Sequence, residues 1–570
     1  MSRWRLSDRP EYRLSAHFFR AMFDFGILTQ VGADSLTRML LGGLGGLLGA
    51  GFVLTRVFVG RYQALAGGVS AEPYRRTLLG DDLFIIAVPM LAAALVTLLV
   101  SDLLFPDDRD FRILGPLPVR RAVVFGAKLA ALVLFNGMLI AAVHLALAPI
   151  VLVTSAHRWR EQPVSSRMMA WAVASISASA LAVLAIMALV GVLVLTLSRD
   201  RLNSLTTLMR SVLLAALLSC VPLAVHLSGF GGALADRSAW LAFVPPAWFV
   251  ALERVLLGSA DPWLVRLADI ALAATASSAI VVTVAYALLF RHFERLMLRS
   301  TAMSSMWHTG DTTGATASGS TPAFRAVYRF TTTTIGRSAL HQTVLVGLSG
   351  CGLGIGISAL LGAHIIDWLR TAGPVPSTLS AAALWAPFAV MMTCGLSARL
   401  SLSLPIDQRA NWIFRLTEDQ DTRADQLRAV DRLVTTIVVG PAAASAIAVL
   451  WIPFGAAAGI GTAVVALVGL VRVHFVLLGW SRIPFTSSYV PGKQFVVHTF
   501  VLACLAWLTF TVGGSLLARM AMSAPGPAVA ILGGLSIVIY FLGRQRAAHW
   551  KRAPLVFEDD FPDQPLELRL

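Results

Sequence analysis

Apolar residues run along this chain in blocks too long for the core face of a soluble helix and too continuous for alternating strands. Stretches near 36–58, 82–105, 123–153, 168–197, 204–228 and 266–290 can each cross most or all of a hydrocarbon core of roughly 30 Å. After a polar stretch, further runs follow near 342–365, 378–402, 433–456, 458–480, 495–520 and 526–543. In lipid every backbone N–H and C=O must be bonded internally, which leaves helices or closed barrels. Barrel strands alternate in polarity over short segments, and these runs do not. The expected fold class is all-α: a polytopic membrane protein of about 12 transmembrane helices.

The polar stretch Ser304-Ser305-Met306-Trp307-His308-Thr309-Gly310-Asp311-Thr312-Thr313-Gly314 continues through Ala, Ser and Gly to Pro322 and has the composition of a linker. It splits the spans into two sets of six, read as diverged copies in two six-helix halves. Each half opens on a basic, aromatic, amphipathic segment suited to the headgroup plane, Arg13–Phe23 in the first and Phe324–Phe330 in the second. Each then has two spans and a charged connection, 106–121 and 404–432, with matching features about 300 residues apart. The expected organisation is a cytoplasmic N-terminal segment at 1–35, a six-span half at 36–295, a cytoplasmic linker at 296–323, a second six-span half at 324–545 and an acidic cytoplasmic tail at 546–570.

Composition strengthens the membrane reading. Charged residues make up 14% of the chain and apolar ones 57%, against about 25% charged in soluble domains. The formal net charge of +15 comes from arginines that flank spans. A separate basic domain of the kind that binds nucleic acid is missing, so no nucleic-acid partner is expected. Placing both termini in the cytoplasm puts most of these arginines on the inner side, as the positive-inside bias requires. Arg61, Arg75, Arg76, Arg158, Arg160 and Arg167 run against it. No short apolar core with a cleavage site follows the N-terminal arginines, so the first span is expected to direct insertion into the cell (plasma or inner) membrane.

Candidate chemistry is sparse. Cys220, Cys351, Cys394 and Cys504 lie in apolar runs without ligand spacing and read as small core residues. His144, Asp269, Arg472, His474 and His498 are the ionisable groups within or near spans, where such groups are functional candidates by default. No HExxH, GxSxG or paired-carboxylate motif occurs, and Asp107, Asp108 and Asp110 are interleaved with arginines. No catalytic residue, cofactor site or metal site is expected. No phosphate loop exists: Gly492-Lys493 lacks the upstream glycine and the following hydroxyl, and the glycines from Gly350 to Gly356 sit inside a span. The charged connections are the most informative segments. They mix arginines, carboxylates and apolar anchors such as Phe111, Leu114, Trp412 and Phe414, as a docking surface does, although a loop obeying the charge bias would look similar.

The run Ile113-Leu114-Gly115-Pro116-Leu117-Pro118-Val119-Arg120-Arg121, followed by Val124-Phe125-Gly126-Ala127-Lys128, resembles the coupling-helix passage of ABC-2-type transporter permeases, without the usual hydroxyl before the arginines. Phe243-Val244-Pro245-Pro246-Ala247-Trp248-Phe249 resembles the external segment before the last span in that family. The order of elements matches over 1–295; the second half follows the plan less closely and lacks a Pro-Pro-Ala-Trp segment. The resemblance implies the permease subunit of an ABC exporter, not itself an enzyme, driven by a separate ATPase dimer that would carry ATP and Mg²⁺. That ATPase would dock at 106–121 and 404–432 through Arg112, Leu114, Arg120, Arg121, Trp412 and Arg415. Membrane lipids are the other expected partner, and one fused pseudo-dimer or two permease chains both satisfy the plan. A secondary transporter, or a membrane enzyme or scaffold, are the alternatives. The first would need carboxylates at mid-membrane; the second would need clustered polar groups at one membrane face.

Overall fold

In the computed structural model, the described residues are 10–22, 33–68, 70–104, 119–196, 199–301, 321–371, 373–404, 420–478, 480, 483–486 and 504–552. Among them the protein is all-helical, with no strand. It is a polytopic membrane protein. Eleven stretches are long and apolar enough to cross a membrane. One of these, Arg423–Val476, is two helices: α14 (Arg423–Phe454) and α15 (Ala458–Val476) fold back on each other at Gly455, whose φ of 52° reverses the chain. The crossings among the described residues are therefore twelve. The outer faces carry exposed apolar side chains, among them Phe52, Val133, Val529 and Phe541, each more than 60% exposed. Water would not tolerate apolar surface on this scale, whereas hydrocarbon matches it.

The chain forms two compact units, 1–213 with 224–309, and 214–223 with 310–570. In the first unit, α1 (Pro10–Ala21) packs on α4 (Arg121–Ser155). The spans are α2 (Ala33–Ala66), α3 (Glu72–Leu99), α4, α5 (Val164–Thr196), α6 (Arg199–Leu223), whose residues 214–223 are grouped with the second unit, and α9 (Pro262–Thr301). Between α6 and α9 lie 3₁₀ turns and two short helices, α7 (Gly231–Ala235) and α8 (Pro245–Leu256). Pro245 and Pro246 open α8 because their missing N–H groups would find no intrahelical acceptor there. This short-helix segment lies on α3 at backbone distance: a Cβ at Gly80 would sit 2.1 Å from the Ser228 carbonyl oxygen, and one at Gly231 1.8 Å from that of Arg76. Leu83, Ile86, Ile150, Trp171, Leu241, Phe249 and Val250 form the core around it.

In the second unit, α10 (Pro322–Arg337) is capped by the Thr321 hydroxyl, which accepts from the Phe324 N–H, and packs on α14. Helix α11 (Ala339–Gly362) is followed by a short α12 (Ile365–Thr371) and by α13 (Ser377–Ser403), whose buried Phe388 and Met391 lie at the centre of the unit. Helices α14 and α15 follow, then α16 (Cys504–Ser523) with a π-helical turn at Thr509–Gly513, and α17 (Pro525–Arg552). One end of this unit gathers helix termini. The Trp550 Nε1–H donates to the Arg423 carbonyl (2.6 Å), and the His341 ring nitrogen meets the Leu404 carbonyl (3.1 Å). Arg546 is bonded to Asp431.

Candidate functional site

Of the expected docking residues, Arg112, Leu114, Trp412 and Arg415 lie outside the described residues, as do Phe111, Phe414, the linker from 302 to 320 and the tail from 553. Arg120 is exposed, in extended backbone (φ −65°, ψ 135°) immediately before α4, and Arg121 is the first residue of that helix. The other candidates separate. His144 is a bonded core histidine: Nδ1 meets the Ile140 carbonyl (2.7 Å) and Nε2 the Ser175 hydroxyl (2.6 Å). Asp269 is exposed, and His498 is outside the described residues. All four cysteines are free thiols.

The strongest polar constellation lies elsewhere, in the first unit where α2, α3, α5 and α8 meet. Helix α3 begins at Glu72, ten residues ahead of the expected span start at 82, so Asp81 and Asp82 are inside the helix and essentially unexposed. Asp81 accepts from Arg61 Nη1 (2.6 Å) and from the Tyr62 hydroxyl (3.0 Å). Asp82 is held by two guanidinium groups: Arg167 Nη2 on Oδ1 at 2.6 Å, and Arg254 on Oδ2. Glu253, on α8, is fully buried with Arg167 Nε 3.9 Å from Oε1, too far for a hydrogen bond. Both Glu253 oxygens, Arg167 Nε and Nη1, and Arg254 Nε are sealed without a hydrogen bond. Beside the cluster the Tyr74 ring stacks on His157 (4.4 Å between centroids), and the Tyr74 hydroxyl donates to the Thr154 carbonyl.

Three carboxylates thus face three guanidinium groups, and the charges cancel when Glu253 is ionised. Burial pushes the Glu253 carboxyl up to about 8, with Asp82 adding to the rise and Arg254 and Arg167 opposing it. Burial likewise lowers the His157 imidazole. The cluster can take up or release a proton, and it pins α8 to α3 and α5 by charge. It holds no nucleophile, and among the described residues no group of three His, Cys, Asp or Glu is placed to hold a metal ion.

This cluster also explains arginines that run against the charge bias. Arg61 and Arg167 bind Asp81 and Asp82; Arg75 pairs with Glu161 (2.5 Å), Arg76 with Glu72 (2.7 Å), and Arg158 donates to the Gly68 carbonyl. Sequence reasoning passed over Asp81 and Asp82 because they border the apolar run. The available signal was two adjacent carboxylates abutting a span, with unexplained arginines at matching positions in neighbouring loops.

The chain matches no protein-family model, no curated protein and no solved structure.

Proposed function

We propose that this protein is the membrane permease of an ATP-driven exporter, coupled to a separate ATPase through 106–121 and 404–432, with both termini cytoplasmic. The supporting observation is the short-helix segment between α6 and α9. It does not span; α8 opens at Pro245-Pro246 and is clamped to α3 and α5 by Asp82, Arg167 and Arg254. A broken external segment ahead of the sixth span is what the resemblance to ABC-2-type permeases predicts at Phe243–Phe249. The orientation is supported by the second unit, where Arg423, Arg546 and Trp550 meet at one end near the basic helix α10. Positive-inside bias assigns that end to the cytoplasm. On this reading, ATP-driven closure of the partner pushes the two charged connections and shifts the halves between two states.

The test is co-purification from mild detergent of tagged wild type and of Arg120→Glu/Arg121→Glu, with ATPase activity assayed on both eluates. A phosphate-loop ATPase that accompanies the wild type and is lost from the charge-reversed variant is the expected result. Wild type emerging alone and inactive in several detergents overturns the proposal.

The buried carboxylates favour a second reading, a proton-coupled secondary transporter with Glu253 as the titrating group. Transport that survives removal of ATP but collapses with a protonophore would select it.

A further inference from the structure

Among the described residues, Arg472 is a guanidinium without a counter-ion. It lies one turn before the end of α15, inside a span. Its Nε is sealed and donates no hydrogen bond, and no carboxylate of the described residues pairs with it. The chain itself supplies little nearby. Between Asp431 and Glu558 there is no Asp or Glu at all, while Arg432, Arg472, Arg482, Lys493, Arg519, Arg544, Arg546, Lys551 and Arg552 fall in that interval. Helix α13, which faces Arg472, has no carboxylate either.

The surroundings form a seat. Gly395 on α13 leaves room for the side chain: a Cβ there would lie 3.3 Å from Arg472 Nε and 3.6 Å from Nη2. The Phe510 ring, in the π-helical turn of α16, lies 5.5 Å from the guanidinium carbon. Such turns in otherwise regular helices frequently mark functional positions. Arg399, one turn beyond Gly395, is spent differently. It donates to the Val476 carbonyl at the end of α15 (2.6 Å) and lies over the Trp480 ring. Arg399 therefore anchors the helix end and adds positive charge beside Arg472, which keeps donors to spare. Exposed Phe475, three residues on along α15, packs on the Phe510 ring (5.5 Å between centroids), so the position borders a side chain that faces hydrocarbon.

An uncompensated charge in a span is costly unless it is paired or reaches the interface. A guanidinium matches phosphate with paired N–H donors, and basic sites between helix ends take anionic headgroups. A freely snorkelling arginine would not need its Nε sealed against a neighbouring helix. We propose that Arg472, seated between α13, α15 and the π-helical turn of α16, binds the phosphate of an anionic phospholipid headgroup. This site is independent of what drives transport.

The test follows unfolding temperature of the purified full-length protein against dioctanoyl phosphatidylglycerol, dioctanoyl phosphatidylcholine and inorganic phosphate. The variants are Arg472→Gln, Arg472→Lys and, as a control, Arg432→Gln, which alters an exposed arginine on α14. Expected is saturable stabilisation of wild type and Arg432→Gln by phosphatidylglycerol. The midpoint should rise roughly tenfold in Arg472→Gln and by less in Arg472→Lys, which keeps the charge but loses the planar donor pair. If Arg472→Gln fails to fold, the wild-type to Arg472→Lys difference carries the result. Equal response of wild type and both Arg472 variants overturns the site. Stabilisation by inorganic phosphate alone, lost in the Arg472 variants, overturns the lipid assignment and makes the anion one drawn from water.

Discussion

Replacing Arg167 by methionine removes a partner from the buried charge cluster without removing bulk. Its ion pair with Asp82 is 2.6 Å long, with both side chains no more than 6% exposed. Breaking such a pair costs about 3–5 kcal/mol, because an uncompensated charge stays buried. Asp82 retains Arg254, and Glu253 can neutralise itself by taking a proton, so the lower end applies, about 3 kcal/mol. At pH 9, above the Glu253 value and therefore with its carboxylate ionised, loss of Arg167 leaves three carboxylates against two arginines, and Glu253→Gln brings the count back to two and two. Arg167→Met/Glu253→Gln should therefore be more stable than Arg167→Met by about 1–2 kcal/mol, the range of coupling for residues in one network. Arg76→Gln is the internal control. Its i,i+4 pair with Glu72 is more than half exposed on both sides, and such solvent-screened pairs contribute little to stability. The assay is thermal unfolding in detergent with size-exclusion profiles of the heated samples. An Arg167→Met shift no larger than that of Arg76→Gln, or strict additivity in the double variant, refutes the reasoning.

Glu253 makes stability depend on pH with a definite sign. Its folded value near 8 lies above the ordinary glutamate value, so the native state holds the proton more tightly, and the stabilisation present in acid is lost as pH rises through 8. Wild type should melt lower at pH 8.5 than at pH 6, and Glu253→Gln should flatten that slope; an unchanged slope removes Glu253 as its source. Gly231→Val should abolish recovery of monodisperse protein, since its Cβ would sit 1.8 Å from the Arg76 carbonyl oxygen, and normal yield would show that the short helices do not press on α3. Trp550→Phe removes a 2.6 Å hydrogen bond from a nearly unexposed indole to the Arg423 carbonyl, and should cost about 1 kcal/mol, read as lower thermal stability or easier proteolysis at the end of α17.

The spans were legible because lipid makes one demand, a long apolar helix, and that demand is written in continuous runs. Even the break between α14 and α15 was readable, since Pro453 and Gly455 interrupt two runs that each suffice to cross. The start of α3 was misplaced for the opposite reason. Arg75, Arg76, Asp81 and Asp82 lower the local apolarity, and a sequence does not say that Arg61, Arg167 and Arg254 will arrive from three other helices to bury those carboxylates. Pairing between distant positions overrides the window average. The amphipathic segments at the head of each half were legible from their arginine–aromatic mixture, and both are helices. Of the docking residues, only Arg120 and Arg121 fall where the backbone is described.

Counter-ions sort the arginines of this protein more sharply than their positions in the sequence do. Where carboxylates or carbonyls are supplied, as for Arg61, Arg167, Arg254, Arg399 and Arg546, the guanidinium ties helices together and its removal should be read in stability. Over 432–557 the sequence itself supplies no carboxylate, so charge there must be met by a carboxylate from outside the interval, as Arg546 is by Asp431, by helix-end carbonyls, by water at the interface or by a bound anion. Arg399 takes the first course at the end of α15. Arg472, sealed at Nε and packed against Gly395 and Phe510, has neither carboxylate nor carbonyl among the described residues. Its neutralisation should therefore show in what the protein binds, and little in how tightly the helices hold. Substituting Arg399 should reverse that pattern, with a fall in stability and headgroup affinity nearly retained. A common response to both substitutions would mean that the two arginines act as a single structural pair.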